Sequence, residues 1–238
     1  MNLNFYINSI YRATEGEGLF IGTPQVFVRF QGCNVGCLNC DSKDTWDFDK
    51  MPAQSLDQVL TLISTELGQG IVPLKRVSIT GGDPLHPIHE KPLLALCQEL
   101  KKRDIYISLE ASGTRIVSSI FDLVDFINFD FKTPSTGVST KKQIICTLIE
   151  QFSSKFQIKS VIQDQVDFDY TYQACKQLMS KYPQQKIPWV LTPVYNVKEE
   201  FPQKRFEEVL RLNELYGAYF RVIGQQHKWI FGPDKKQV

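Results

Sequence analysis

The stretch that decides the fold reads Val26-Phe27-Val28-Arg29-Phe30-Gln31-Gly32-Cys33-Asn34-Val35-Gly36-Cys37-Leu38-Asn39-Cys40-Asp41. Its opening is β-branched and aromatic, the composition of a buried strand. The remainder is a glycine-bearing loop that gathers Cys33, Cys37 and Cys40. Soft thiolates grouped in this way suit an iron–sulfur cluster or a zinc ion. With no second pair of cysteines nearby, three ligands leave one metal position open, which catalysis needs and a structural site avoids. The competing reading is a structural zinc completed by His86, His89 or His227.

Working outward, short apolar runs alternate with segments of helical period. Strands are predicted at 26–31, 76–80, 105–110, 126–131, 157–161, 189–192 and 219–223, and helices at 55–67, 90–103, 115–121, 141–152, 168–181 and 199–215. Leu56, Val59, Leu60 and Ile63 fall on one helix face, with Ser55 as its N-cap and Gln58 at the capping-box position. Alternation of this kind builds a parallel sheet with crossover helices, either a barrel or an open doubly wound sheet. In both, ligands bind at the carboxyl ends of the strands, so the loops after strands carry the chemistry.

Composition fits this reading. The 238 residues are 42% hydrophobic and 22% charged, which excludes global disorder and a fibrous chain. A count of 27 Lys+Arg against 26 Asp+Glu demands no polyanionic partner. The clusters Lys101-Lys102-Arg103 and Lys235-Lys236 read as solvated faces without the interleaved aromatics of a nucleic-acid groove. No apolar run is long enough to span a bilayer, and the first residues lack the apolar core of a signal peptide. A cytoplasmic, single-domain protein over residues 1–238 is expected, with neither membrane nor nucleic-acid contact. In a reducing compartment Cys97, Cys146 and Cys175 read as core packing rather than disulfides.

A second motif, Ser78-Ile79-Thr80-Gly81-Gly82-Asp83-Pro84, closes the next predicted strand, and its glycines permit close backbone approach. The two motifs together resemble the radical S-adenosylmethionine superfamily, in which C-x3-C-x2-C holds a [4Fe–4S] cluster and a Gly-Gly-Glu-Pro strand end receives the methionyl amine. Here Asp83 stands for Glu, and Asn39 occupies the position before the last cysteine where an aromatic commonly touches adenine. Further stretches narrow the resemblance: Thr14-Glu15-Gly16-Glu17-Gly18, Gly22-Thr23-Pro24, Cys40-Asp41-Ser42, Thr45-Trp46, Glu110-Ala111-Ser112-Gly113-Thr114, Asp130-Phe131-Lys132 and Gln226-His227-Lys228. These are similar to the 7-carboxy-7-deazaguanine synthase family of the queuosine precursor pathway. Glu15 replaces the family's Gln, Ser42 its Thr, and only Lys132 remains of its Ser-Pro-Lys.

The resemblance implies an α/β fold, an incomplete TIM-like barrel of parallel strands with outer helices. It implies a [4Fe–4S] cluster on Cys33, Cys37 and Cys40, S-adenosyl-L-methionine, and Mg²⁺ on Ser42. Cofactor contacts are expected from Asn39, Gly81, Gly82, Asp83, Glu110, Ser112 and Lys132. A pterin substrate, 6-carboxy-5,6,7,8-tetrahydropterin, is expected against Glu15, Gly16, Glu17, Gly18, Arg29, Thr80 and His227. Arg29, a lone cation in an apolar strand, suits bidentate capture of the substrate carboxylate. Asp41 is expected to brace its loop rather than bind metal, and the turn-rich segment 133–137 to be mobile. A flavodoxin- or ferredoxin-like electron donor and a homodimer complete the expectations. Two other functions remain open at this point, a glycyl-radical-enzyme activase sharing the cluster chemistry and a non-catalytic zinc-binding module.

Overall fold

The computed structural model describes residues 3–197 and 199–238. Its strands are β1 (Phe5–Thr14), β2 (Pro24–Phe30), β3 (Ala53–Gln54), β4 (Arg76–Gly81), β5 (Tyr106–Ala111), β6 (Phe126–Asp130), β7 (Phe156–Ile162), β8 (Trp189–Pro193) and β9 (Arg221–Val222). Its helices are α1 (Leu56–Gly68), α2 (Glu90–Lys102), α3 (Ser118–Phe121), α4 (Lys142–Phe152), α5 (Gln165–Lys181), α6 (Gln203–Leu215) and α7 (Gln226–Phe231). All strands join one sheet in the order β3-β1-β2-β4-β5-β6-β7-β8-β9. From β2 to β9 every pairing is parallel. The order follows the chain, as in a barrel wound in one direction, and β3 and β9 remain as edges, so the barrel is partial.

The central strands are buried on both faces because helices cover the outside, which is why they read as near-continuous apolar runs. Val77 and Ile79 of β4, Ile107 and Leu109 of β5, and Ile127 and Phe129 of β6 are sealed from solvent. Helix α1 turns Val59, Leu60, Ile63 and Leu67 inward. Its capping box forms as expected: Gln58 N donates to Ser55 Oγ at 3.2 Å, and Ser55 N to Gln58 Oε1 at 2.7 Å. Cys97, Cys146 and Cys175 are core residues without disulfides. No helix among the described residues is long and apolar enough to cross a membrane.

Several expectations are corrected. The sheet is not wholly parallel: β1, absent from the sequence reading, runs antiparallel to both β2 and β3. Its period-two pattern is broken at Asn8 and Ser9, where the register with β2 slips between Ile7 and Ser9. The helix expected over 115–121 shrinks to α3, because Arg115 turns aside to donate to Leu85 O at 2.8 Å and to pair with Glu90. Helix α5 begins earlier than expected because Asp164 caps it, accepting from Asp167 N at 3.1 Å. Helix α6 begins later, after Pro202, and the last strand keeps only Arg221–Val222. The segment 133–137 is pinned rather than mobile. Thr133 Oγ1 donates to Val161 O at 2.9 Å, and Ser135 N to Asp167 Oδ1 at 2.9 Å.

Candidate active site

The carboxyl ends of β2, β4, β5, β6, β7 and β8 open into one cavity of about 530 Å³. The cysteine loop forms one wall, and its shape follows from backbone bonds. Gly32 N donates to Thr45 O at 2.7 Å, Cys33 N to Trp46 O at 3.2 Å and Leu38 N to Thr136 O at 2.9 Å. The pinned segment 133–137 is therefore the buttress of this loop. Cys33, Cys37 and Cys40 are half-buried free thiols that line the cavity. Burial pushes the Cys33 and Cys37 thiols up, and beside Cys37 the Lys132 ammonium opposes it. Neutral soft thiols facing one cavity fit a cluster whose iron would draw them into the thiolate form.

The zinc alternative fares differently. Among the described residues no three His, Cys, Asp or Glu side chains close on a point that would hold a single metal ion. His86 and His89 are packed with Phe48, at 4.7 Å and 6.4 Å between ring centroids, and line no part of the cavity. A [4Fe–4S] cubane asks less convergence of its ligands, since each thiolate takes a different iron.

The strand end Gly81-Gly82 lines the cavity beside the cysteines. Glycine is required at position 81 for packing: φ is +144°, and a Cβ would lie 2.4 Å from the Phe30 backbone. Gly82 N and Asp83 N donate to Phe30 O and Gly32 O at 3.0 and 2.9 Å, stitching the second motif to the first. Asp83 itself sits behind the wall, accepting from Leu85 N at 3.2 Å, and burial raises its pKa. Asn39 faces the cavity with its buried Nδ2 lacking any protein acceptor. That donor is sealed from solvent, so a ligand acceptor would reach it only with a shift of the loop.

The opposite wall is charged. The β1–β2 hairpin brings in Glu15, Gly16 and Glu17, and β5, β6 and β7 bring Glu110, Asp130, Lys132 and Lys159. Lys159 Nζ lies 2.9 Å from Glu17, 3.5 Å from Glu110 and 3.8 Å from Asp130, while Lys132 pairs with Asp130 at 2.8 Å. Burial would raise Glu17, but Lys159, His227 and the bonds from Gln225 and Lys159 outweigh it and hold its pKa at about 2. Glu110 goes the other way: burial, with Glu15, Glu17 and Asp130 nearby, pushes it up to about 8 against Lys159. Burial likewise raises Glu15, which accepts from Gln25 Nε2 at 2.7 Å. With Glu110 pushed up to about 8, Glu17 and Lys159 are a charge pair this wall keeps at neutral pH, and it offers a polar ligand both acceptors and donors.

Arg29 reaches Ser42 Oγ and Tyr11 Oη, each at 3.4 Å, and Ser42 Oγ donates to Asp41 Oδ1 at 3.2 Å. Asp41 braces the loop: Lys228 Nζ stands 3.0 Å from its carboxylate, and Lys236 Nζ donates to its carbonyl at 2.7 Å. Burial is again outweighed by the neighbouring cations, so Asp41 is held well below the usual carboxylate range. Lys236 is exposed, as expected, and also lies on the cavity rim. Thr80, Ser112 and His227 also line the cavity, and Ser112 Oγ lies 2.9 Å from Thr114 Oγ1. Gly18 does not reach it. It opens the tight turn Gly18–Phe20, packed against Gln157.

Sequence reasoning missed Lys159, Gln225 and the structural role of Lys228. Lys159 carried the same signal as Arg29, a lone cation in an apolar strand, and that signal was readable. Gln225 and Lys228 belong to a short turn and helix whose pattern is too brief to read.

Residues 14–128 match the family described as a 4Fe-4S single cluster domain. A 7-carboxy-7-deazaguanine synthase from Synechocystis sp. is 26% identical over 232 residues, covering 97% of this chain and 94% of that protein. The synthase of Escherichia coli K12 is 35% identical over 133 residues, an alignment spanning 48% of this chain and 56% of that protein. The crystal structure of QueE from Escherichia coli shares the fold, with TM-score 0.65 and 23% identity over 94% of this chain and 95% of that one. Part of the chain thus matches a 4Fe-4S single cluster domain, and nearly its whole length is similar to a 7-carboxy-7-deazaguanine synthase and shares the fold of QueE.

Proposed function

We propose that this chain, as one domain over residues 1–238, converts 6-carboxy-5,6,7,8-tetrahydropterin to 7-carboxy-7-deazaguanine with loss of ammonia. The observation that carries the reading is the meeting, in one cavity, of the cysteine loop with the Glu15–Glu17 hairpin and Arg29. A metal-bearing loop alone would serve any member of the superfamily. An acid pair and a half-buried guanidinium lining one cavity suit a small ligand with N–H groups at one end and a carboxylate at the other. An activase that acts on a protein partner has no use for that pairing.

In this reading Cys33, Cys37 and Cys40 hold the cluster. Asn39, Gly81, Gly82, Glu110, Ser112 and Lys132 hold S-adenosylmethionine, with Asp83 supporting from behind the wall. Held there, the cluster and S-adenosylmethionine would supply radical hydrogen-atom abstraction from the pterin. The chain's own work is to bind, orient and exclude water. Glu17 accepts from the pterin's amino and ring N–H groups, and Glu15, Gly16 and Thr80 shape the slot for the ring, while Gly18 only turns the hairpin. Arg29 takes the carboxylate and His227 closes the edge. Ser42 offers its hydroxyl to a Mg²⁺ ion that borrows substrate oxygens, with the Asp41 carboxylate beside it to balance charge. A cytoplasmic homodimer served by a flavodoxin- or ferredoxin-like donor, its product feeding tRNA modification, completes the proposal.

The test is an anaerobic assay of reconstituted protein with dithionite, S-adenosylmethionine, Mg²⁺ and 6-carboxytetrahydropterin, read by mass spectrometry. Deazaguanine that disappears in Cys37→Ala is the expected result. Formation of 5′-deoxyadenosine without deazaguanine would leave the radical chemistry standing and overturn the substrate. Stoichiometric zinc after anaerobic purification, without iron or sulfide, would overturn both.

A further inference from the structure

We propose that Lys159 is a positioning residue for the substrate: its ammonium, at the meeting of the β1–β2 hairpin with β5 and β6, fixes the Glu17 carboxylate in the orientation that the pterin meets. The inference rests on the cavity being the pterin site. Lys159 projects from β7 into the cavity with its side chain 13% exposed, and its three carboxylate partners come from three separate elements. The shortest contact is to Glu17 Oε2, at 2.9 Å. The other oxygen, Oε1, accepts from Gln225 Nε2 at 2.7 Å. Glu17 is therefore clamped from two walls, one bond to each oxygen. A carboxylate oxygen accepts more than one bond, so each retains capacity for a ligand N–H.

A purely structural ion pair would also look buried and paired, and the rest of the hairpin shows why this one is different. The backbone of the loop has its own anchors. Gly16 O accepts from Gln226 N at 2.8 Å, and Leu19 N donates to Gln157 Oε1 at 2.9 Å. Glu15 is held by Gln25, which accepts from Arg76 Nε at 3.0 Å, and the Arg76 guanidinium lies between the rings of Phe20 and Tyr106 at 4.2 and 4.1 Å. Removing Lys159 leaves these anchors in place. What goes is the charge and aim of Glu17, so substrate affinity should suffer before folding does.

The experiment uses the reconstituted full chain, with wild type, Lys159→Met, Lys159→Arg, Glu17→Gln and the Lys159→Met/Glu17→Gln pair. Anaerobic calorimetry gives Kd for 6-carboxytetrahydropterin and for S-adenosylmethionine, turnover gives KM and kcat, and melting gives Tm. A charge-assisted hydrogen bond supports an expected rise of roughly ten- to a hundredfold in pterin Kd and KM for Lys159→Met, larger than any fall in kcat. S-adenosylmethionine affinity should move less, because Glu110 lies farther from Lys159, at 3.5 Å, and keeps its bond from Asn128. Lys159→Arg should recover most of the affinity, and the pair should bind no worse than its weaker single variant. Pterin affinity within twofold of wild type in Lys159→Met overturns the proposal. So do losses that multiply in the pair, and so does a Lys159→Met protein that fails to fold, which would mark a structural ion pair. Wild type that binds no pterin overturns the substrate reading itself, before any variant is compared.

Discussion

His89 makes the core behind the cysteine loop acid-sensitive by a calculable amount. It precedes α2 with 0% of its surface exposed, its ring 5.0 Å from that of Phe30 and 6.4 Å from that of Phe48. Neither ring nitrogen has a hydrogen-bond partner among the described residues. Burial is the main reason its pKa falls from 6.5 to about 4; the Gln31 backbone opposes the fall and His86 adds to it. The unfolded chain therefore takes up a proton below pH 6.5 that the folded chain refuses until about pH 4. Stability is complete above the unfolded value and is lost as pH falls through the folded one. At pH 5 the loss from this one ring is about 2 kcal/mol, rising to about 3 kcal/mol at pH 4. In a chain of this size about 2 kcal/mol corresponds to roughly 4–8 °C in Tm.

The perturbation is His89→Phe, close in shape and without the titration. Melting both proteins from pH 7.5 to 5 cancels the carboxylates that they share. Wild type should lose about 4–8 °C more than the variant over that range. At pH 7.5 the variant should melt close to wild type, since one packed ring replaces another and neither ring nitrogen makes a well-formed hydrogen bond. Parallel curves would refute the reasoning, and so would a variant several degrees weaker at neutral pH. The consequence reaches the cysteine loop, because Phe48, which packs on both histidines, also lies against Gly32.

Three further outcomes follow from the geometry. Gly16→Ala would place a Cβ 2.1 Å from His227 Nδ1, displacing that ring; pterin KM should rise severalfold with iron content unchanged, and Gly16→Ala/His227→Ala should recover part of the loss. Lys228→Met breaks a pair in which the lysine is 7% and Asp41 46% exposed, so unfolding in urea should show a loss of about 1–3 kcal/mol, below that of a fully buried pair. Arg29→Ala should weaken substrate binding at least tenfold while iron and sulfide stay at wild-type levels; unchanged turnover at limiting pterin would remove Arg29 from the site.

What the sequence made legible was local. The cysteines and the Gly-Gly-Asp-Pro strand end are compact motifs on loops after strands; spacing pointed to the cysteines, the family resemblance added the strand end, and both meet at the cavity apart from Asp83, which lies behind its wall. The helices showed their faces at 3.6-residue period, and the central strands showed as apolar runs because both of their faces are buried. Strand β1 escaped because a register slip at Asn8 and Ser9 breaks the alternation that marks a half-buried strand. The substrate side escaped for a different reason. Glu17 meets Lys159 and Gln225 across sequence separations of 142 and 208 residues, and Lys236 closes on Asp41 across 195. No local pattern reports such a meeting, because the sheet must first bring its two ends together. Metal ligands held in one short loop can be read before the fold is known. The groups proposed to choose a substrate are assembled by the fold: a lone lysine in an apolar strand marks Lys159 as worth notice, but only the fold shows the three carboxylates beside it.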